Sequence, residues 1–109
     1  MRDRVARRLD LETALRNAIG NGELRLDYQP IVDLPGGRVL GFEALMRWAH
    51  PGLGQVPPVE FIPVAEDSGL IVDLGRWALE EAIAQLASWG ADEPADGRRL
   101  WMAVNVSAR

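Results

Sequence analysis

The chain has 109 residues, 48% hydrophobic and 26% charged, with 12 Lys and Arg against 16 Asp and Glu for a net charge of −4, values ordinary for one soluble globular domain. The acidic balance argues against a broadly basic face for polymeric nucleic acid and leaves small phosphorylated ligands open. With no cysteine, disulfides, zinc–thiolate sites and cysteine nucleophiles are excluded, so any metal would take oxygen or His ligands; no apolar run approaches the roughly 18 residues of a membrane span and no signal-peptide core is present, which makes the cytoplasm the expected location.

From Arg4 to Ile19 the pattern predicts an amphipathic helix, with Val5, Leu9, Leu15 and Ile19 near one face and Gly20-Asn21-Gly22 ending it. The arginines at positions 2, 4, 7 and 8 read as a solvated face and are assigned no function. Leu24 to Val32 alternates as a strand, with Leu24, Leu26, Tyr28, Pro30 and Val32 on one side and Arg25, Asp27, Gln29 and Ile31 on the other. Asp33 to Gly37 has turn composition and leads into a second strand, Arg38 to Trp48, so the two strands are expected to pair as a hairpin. His50 to Pro58 is rich in Pro and Gly without periodicity and reads as a loop, in which His50 has no second His to join it as a metal ligand. Pro58 suits a helical first turn, predicting a short helix over Val59 to Asp67 that Pro63 should kink and Gly69 should close. A longer helix follows over Ile71 to Trp89, with Leu74, Ala78, Ala82, Leu86 and Trp89 in one stripe, Leu79 and Ile83 widening it and Gly90 as its stop. Ala91 to Arg99 reads as a polar loop, and Leu100 to Ser107 as a third strand with Met102, Val104 and Val106 on its apolar side.

The most informative run is Gly41 to Trp48. Phe42, Ala44, Met46 and Trp48 make a wholly apolar strand face, while Glu43, Leu45 and Arg47 share the other with Gly41. At about 3.3 Å per residue Glu43 and Arg47 stand roughly 13 Å apart, too far to pair with each other, and a divalent cation and a phosphate are natural partners for the two charges. Gln29 on the first strand and Asn105 on the third offer further polar groups opposite apolar sides. A strand, two helices and another strand form a crossover arrangement of α/β type. In a barrel these polar groups would converge near the strand ends; the same pattern also describes the wet face of an antiparallel sheet covered by helices on one side only.

The motifs Leu26-Asp27-Tyr28-Gln29-Pro30-Ile31-Val32, Gly41 to Trp48 with its Glu43-Ala44-Leu45 tripeptide, Phe61-Ile62-Pro63-Val64-Ala65-Glu66 and Val104-Asn105-Val106-Ser107 resemble, in order and spacing, those of the EAL domain family of bacterial cyclic di-GMP phosphodiesterases. The resemblance implies a variant of the (β/α)8 TIM barrel whose first strand is antiparallel, of which this chain would be the N-terminal portion, since such barrels take about 250 residues typically and at least about 200. It divides the chain into a connector helix over residues 1–20 and a partial EAL domain over 21–109. It implies hydrolysis of cyclic di-GMP to linear pGpG at a site of two Mg2+ or Mn2+ ions, with Glu43 catalytic and, like Asn105, a metal ligand, Arg47 holding a phosphate, and Gln29 and Leu45 lining the dinucleotide pocket. The family's paired aspartates, lysine and later glutamates would lie beyond this segment, so the 109 residues alone are expected to be inactive. Pro57 stands where the family often has a hydroxyl residue that could cap the following helix. An upstream GGDEF or sensor domain and a homodimer are the partners the family suggests. A non-catalytic cyclic di-GMP-binding or interaction module in second-messenger signalling, and a truncated product without function, are the alternatives.

Overall fold

A computed structural model of the chain describes residues 2–90 and 101–105. In chain order the elements are α1 (Arg2–Ala18), β1 (Leu24–Asp33), β2 (Arg38–His50), β3 (Gly54–Val56), α2 (Pro58–Ser68), α3 (Ile71–Gly90) and β4 (Trp101–Val104). They form an α/β structure in which a four-stranded sheet lays its apolar face under the helices. The expected loop over Ala91–Arg99 and the end of the third strand, residues 106–107, lie outside the described residues.

β1 and β2 form the expected hairpin, antiparallel from Leu24↔Trp48 to Asp33↔Arg38. Gly37, at φ 64°, completes the turn and donates its N–H to the Asp33 carbonyl, a left-handed conformation natural to glycine. The register slips where Ile31↔Gly41 gives way to Val32↔Val39, so Leu40 is an extra, bulged residue near the turn. β2 is the organising strand: β1 runs along it antiparallel, while β4 pairs with it in parallel from Gly41↔Trp101 to Ala44↔Val104. The parallel pair requires the crossover that α2 and α3 supply.

Four sequence expectations need correction. The stretch read wholly as loop contains β3, which pairs antiparallel with the end of β2 from Trp48↔Val56 to His50↔Gly54. Three residues are too few for an alternation to be legible; what makes them a strand is the free edge of β2 beside them and the His50 imidazole, whose Nδ1 accepts the backbone N–H groups of Gly52 and Leu53, each at 3.0 Å.

The buried line of α1 is also different. Leu11, Leu15 and Ala18 enter the core, whereas Val5 and Leu9 are 62% and 61% exposed. Leu9 precedes Leu15 by six residues, about 120° away around a helix, and the core lies beneath only the second half of α1. Its first half meets α2 through charge: Arg7 pairs with Glu60 and Arg8 with Asp67. These two arginines are thus helix-to-helix contacts rather than a merely solvated face. The guanidinium of Arg7 hydrogen-bonds the Glu60 carboxylate and holds its pKa below the ordinary value, while its own is raised by the same contact.

On α3 the buried stripe is Leu74, Ala78 and Ala82, with Leu79 and Ile83 exposed on another side. The expected widening through Leu79 and Ile83 is absent, and the stripe is flanked instead by Ile71 and Trp77, which pack against the core. α2 continues through Pro63 to Ser68 as one helix, and it closes at Gly69, φ 83°, where its sequence predicts; Pro57 at its start makes no side-chain cap.

The core centres on Trp48 and Phe61, which meet edge to face at 5.6 Å with Leu11, Leu15, Met46, Val64 and Leu74 in the same cluster. Trp48 satisfies its buried indole by donating from Nε1 to Glu23 Oε1 at 2.9 Å. Towards the other end of the sheet, Trp89 of α3 packs on Tyr28 and Phe42 at 5.1 and 4.5 Å. Burial there, and then the charge of Glu81, pushes the Tyr28 hydroxyl pKa above its ordinary value.

Candidate functional site

With the apolar alternation of β1, β2 and β4 committed to the helices, the intervening residues form a polar face. Antiparallel register sets Gln29 directly opposite Glu43, Asp27 opposite Leu45 and Arg25 opposite Arg47. On the other edge Glu43 faces Ala103 of β4 and Ala44 faces Val104; the next step of that parallel register brings Asn105 beside Leu45.

A cleft of about 290 Å³ opens beyond the end of β4, lined by Leu45, Met46 and Arg47 of β2, Asn105, and Pro58, Val59 and Ile62 from the start of α2. Of the residues singled out from sequence, the structure therefore gathers Leu45, Arg47 and Asn105 into one cleft. Glu43 and Gln29 stand on the same face but outside its lining. The cleft's apolar wall from α2 is not expected from sequence as part of the site, because Pro58 and Val59 read only as a helical first turn and Ile62 only as part of a helical motif.

Arg47 does find a protein partner. Its Nε donates to Asp27 Oδ2 at 3.1 Å and its Nη1 to the Met46 carbonyl at 3.4 Å, while Asp27 Oδ1 accepts the Nε–H of Arg25 at 3.2 Å. Two arginines set opposite each other across a strand pair would repel; the carboxylate between them removes that penalty. The expectation that Arg47 lacks a local partner is thus corrected by the register, which delivers Asp27 from the neighbouring strand.

Glu43 is different: half-buried, it has no hydrogen-bond or ion-pair partner among the described residues. A carboxylate so placed, with the amide side-chain residues Gln29 across the ladder and Asn105 two residues past its neighbour Ala103, has the chemistry of a hard-cation ligand. Among the described residues, however, no group of three or more His, Cys, Asp and Glu side chains could hold a metal ion. The donors fit part of a coordination shell and leave it incomplete.

The model of the EAL domain matches residues 12–109. The chain belongs to the EAL domain family. Over 103 residues it is 50% identical to a cyclic di-GMP phosphodiesterase of Pseudomonas aeruginosa, covering 94% of this chain and 17% of that protein. It is 46% identical over 109 residues to the cyclic di-GMP phosphodiesterase PdeR of Escherichia coli, covering 100% of this chain and 16% of PdeR. In structure it resembles the PaMucR phosphodiesterase in complex with c-di-GMP, with a TM-score of 0.81, 43% identity, and coverage of 91% of this chain and 39% of that one. The segment thus spans about a sixth of these two curated relatives and has the fold of the N-terminal portion of the TIM-barrel-like EAL domain, with its first strand antiparallel.

Proposed function

We propose that this segment supplies the first part of the active site of a cyclic di-GMP phosphodiesterase that hydrolyses one phosphodiester bond to give linear pGpG. The observation that carries the reading is the convergence of Leu45, Arg47 and Asn105 on one cleft with the Glu43 carboxylate, unpartnered among the described residues, on the same sheet face; the naming of PdeR and the P. aeruginosa relative as cyclic di-GMP phosphodiesterases supports the substrate. Arg47 binds a phosphate, Leu45 and Gln29 line the dinucleotide pocket, and Glu43 and Asn105 hold a divalent cation, Mg2+ or Mn2+. Two such ions in the complete site would supply an activated water and charge neutralisation at the entering and leaving oxygens. An upstream GGDEF or sensor domain and a homodimeric assembly belong to the same proposal.

Glu43 and Asn105 are two ligands where a two-ion site needs more. The incomplete shell among the described residues favours a second reading of this segment taken alone, ligand binding without turnover. Incubating the chain with cyclic di-GMP and Mg2+ or Mn2+ separates the two: saturable binding without pGpG is the expected result. Production of pGpG abolished by Glu43→Ala would make the 109 residues catalytic by themselves, and absence of any binding would refute both readings.

A further inference from the structure

We propose that Asp27 is a positioning residue for the phosphate-binding guanidinium of Arg47, an inference that rests on the role given to Arg47 above. Asp27 does not line the cleft, so it acts through the arginine. Its carboxylate sits between two guanidinium groups that the hairpin register places opposite each other, Arg25 and Arg47, and accepts Nε–H from each, at 3.2 and 3.1 Å. An arginine has three nitrogens in one rigid plane. Holding Nε on Asp27 and Nη1 on the Met46 carbonyl at 3.4 Å fixes that plane at two points, and Nη2 has no partner among the described residues.

Two consequences follow for an anionic ligand. The guanidinium beside Asn105 is oriented before the ligand arrives, so less side-chain freedom is lost on binding. The Asp27 charge, shared between two arginines, leaves the triad with one net positive charge rather than presenting a bare carboxylate to the phosphate. Asp27 thus aims Arg47 more than it competes for it. Neither Arg25 nor Asp27 is singled out by the sequence reading, because their proximity to Arg47 exists only once β1 and β2 are in register.

Calorimetric titration of cyclic di-GMP into the chain and its variants tests the idea. Arg47→Ala should abolish binding, and Asp27→Ala should weaken it about tenfold, within the range of coupling between contacting side chains. The near-isosteric Asp27→Asn, which keeps one acceptor, should retain an intermediate affinity and covers the case in which the alanine variant fails to fold. In an Arg47→Lys background, which has no Nε–H for Asp27 to hold, the Asp27→Asn effect should vanish, a result that a general structural role would not produce. Unchanged or tighter binding by folded Asp27→Ala or Asp27→Asn would overturn positioning and leave the role of Arg47 intact. An equal loss in the lysine background would likewise overturn it. Failure of the parent chain to bind, or binding undiminished in Arg47→Ala, would instead remove the functional reading on which the proposal rests.

Discussion

Gly41 lies under the indole of Trp101 with no room for a methyl group: a Cβ there would sit 2.4 Å from the Trp101 carbonyl oxygen and 2.7 Å from Cδ2. Backbone is among the atoms it meets, so a rotamer change of the tryptophan cannot relieve the clash. Gly41→Ala should therefore destabilise the fold by about 1–3 kcal/mol through overpacking, seen as a lower urea midpoint at similar slope. Gly36, whose Cβ would meet nothing within 4 Å, is the control, and Gly36→Ala should leave the midpoint near its original value. At this scale much of the candidate site is legible in the sequence. Strand alternation alone puts Glu43, Leu45 and Arg47 on one face, and the matching alternation of the third predicted strand puts Asn105, just past the end of β4, on the corresponding face. The partner of Arg47 is not legible, since Asp27 is twenty residues away in the chain and several registers of the hairpin would each have offered the arginine a different neighbour.

Among the elements, α1 shows how an amphipathic pattern can identify a helix and still misassign its buried line. Leu15, 1% exposed, should cost about 2–5 kcal/mol when truncated to alanine, while Leu9→Ala, at a position 61% exposed, should stay within about 0.5 kcal/mol; urea titration of the two variants distinguishes the observed face from the one expected from periodicity. The proposed connector role of residues 1–20 falls most naturally on the first half of this helix, because Leu11, Leu15 and Ala18 belong to the core. That first half is tied to α2 by Arg7 and Glu60, and the tie has a pH signature. The folded-state pKa of Glu60 is lowered by Arg7, so its contribution to stability is present above the unfolded carboxyl value of about 4.3 and is lost as pH falls through the folded value. Urea midpoints measured from pH 7 down to pH 3 should therefore fall less steeply in Glu60→Gln than in the parent chain.

For the molecule as a whole, the decisive feature is a sheet with two chemically different faces. Helices α1, α2 and α3 cover one, and the other carries Gln29, Glu43, Arg47 and the approach to Asn105. The sequence by itself determined the α/β class, the hairpin, both helices of the crossover and the family, because alternation, helical periodicity, turn residues and ordered motifs are all local along the chain. Only the tertiary structure decided that three residues after His50 become a strand, that α1 turns Leu11 rather than Leu9 inward, and that Asp27 reaches Arg47. Each of those outcomes depends on which surface or strand edge comes to lie beside the residue, a relation between distant segments that local pattern does not encode.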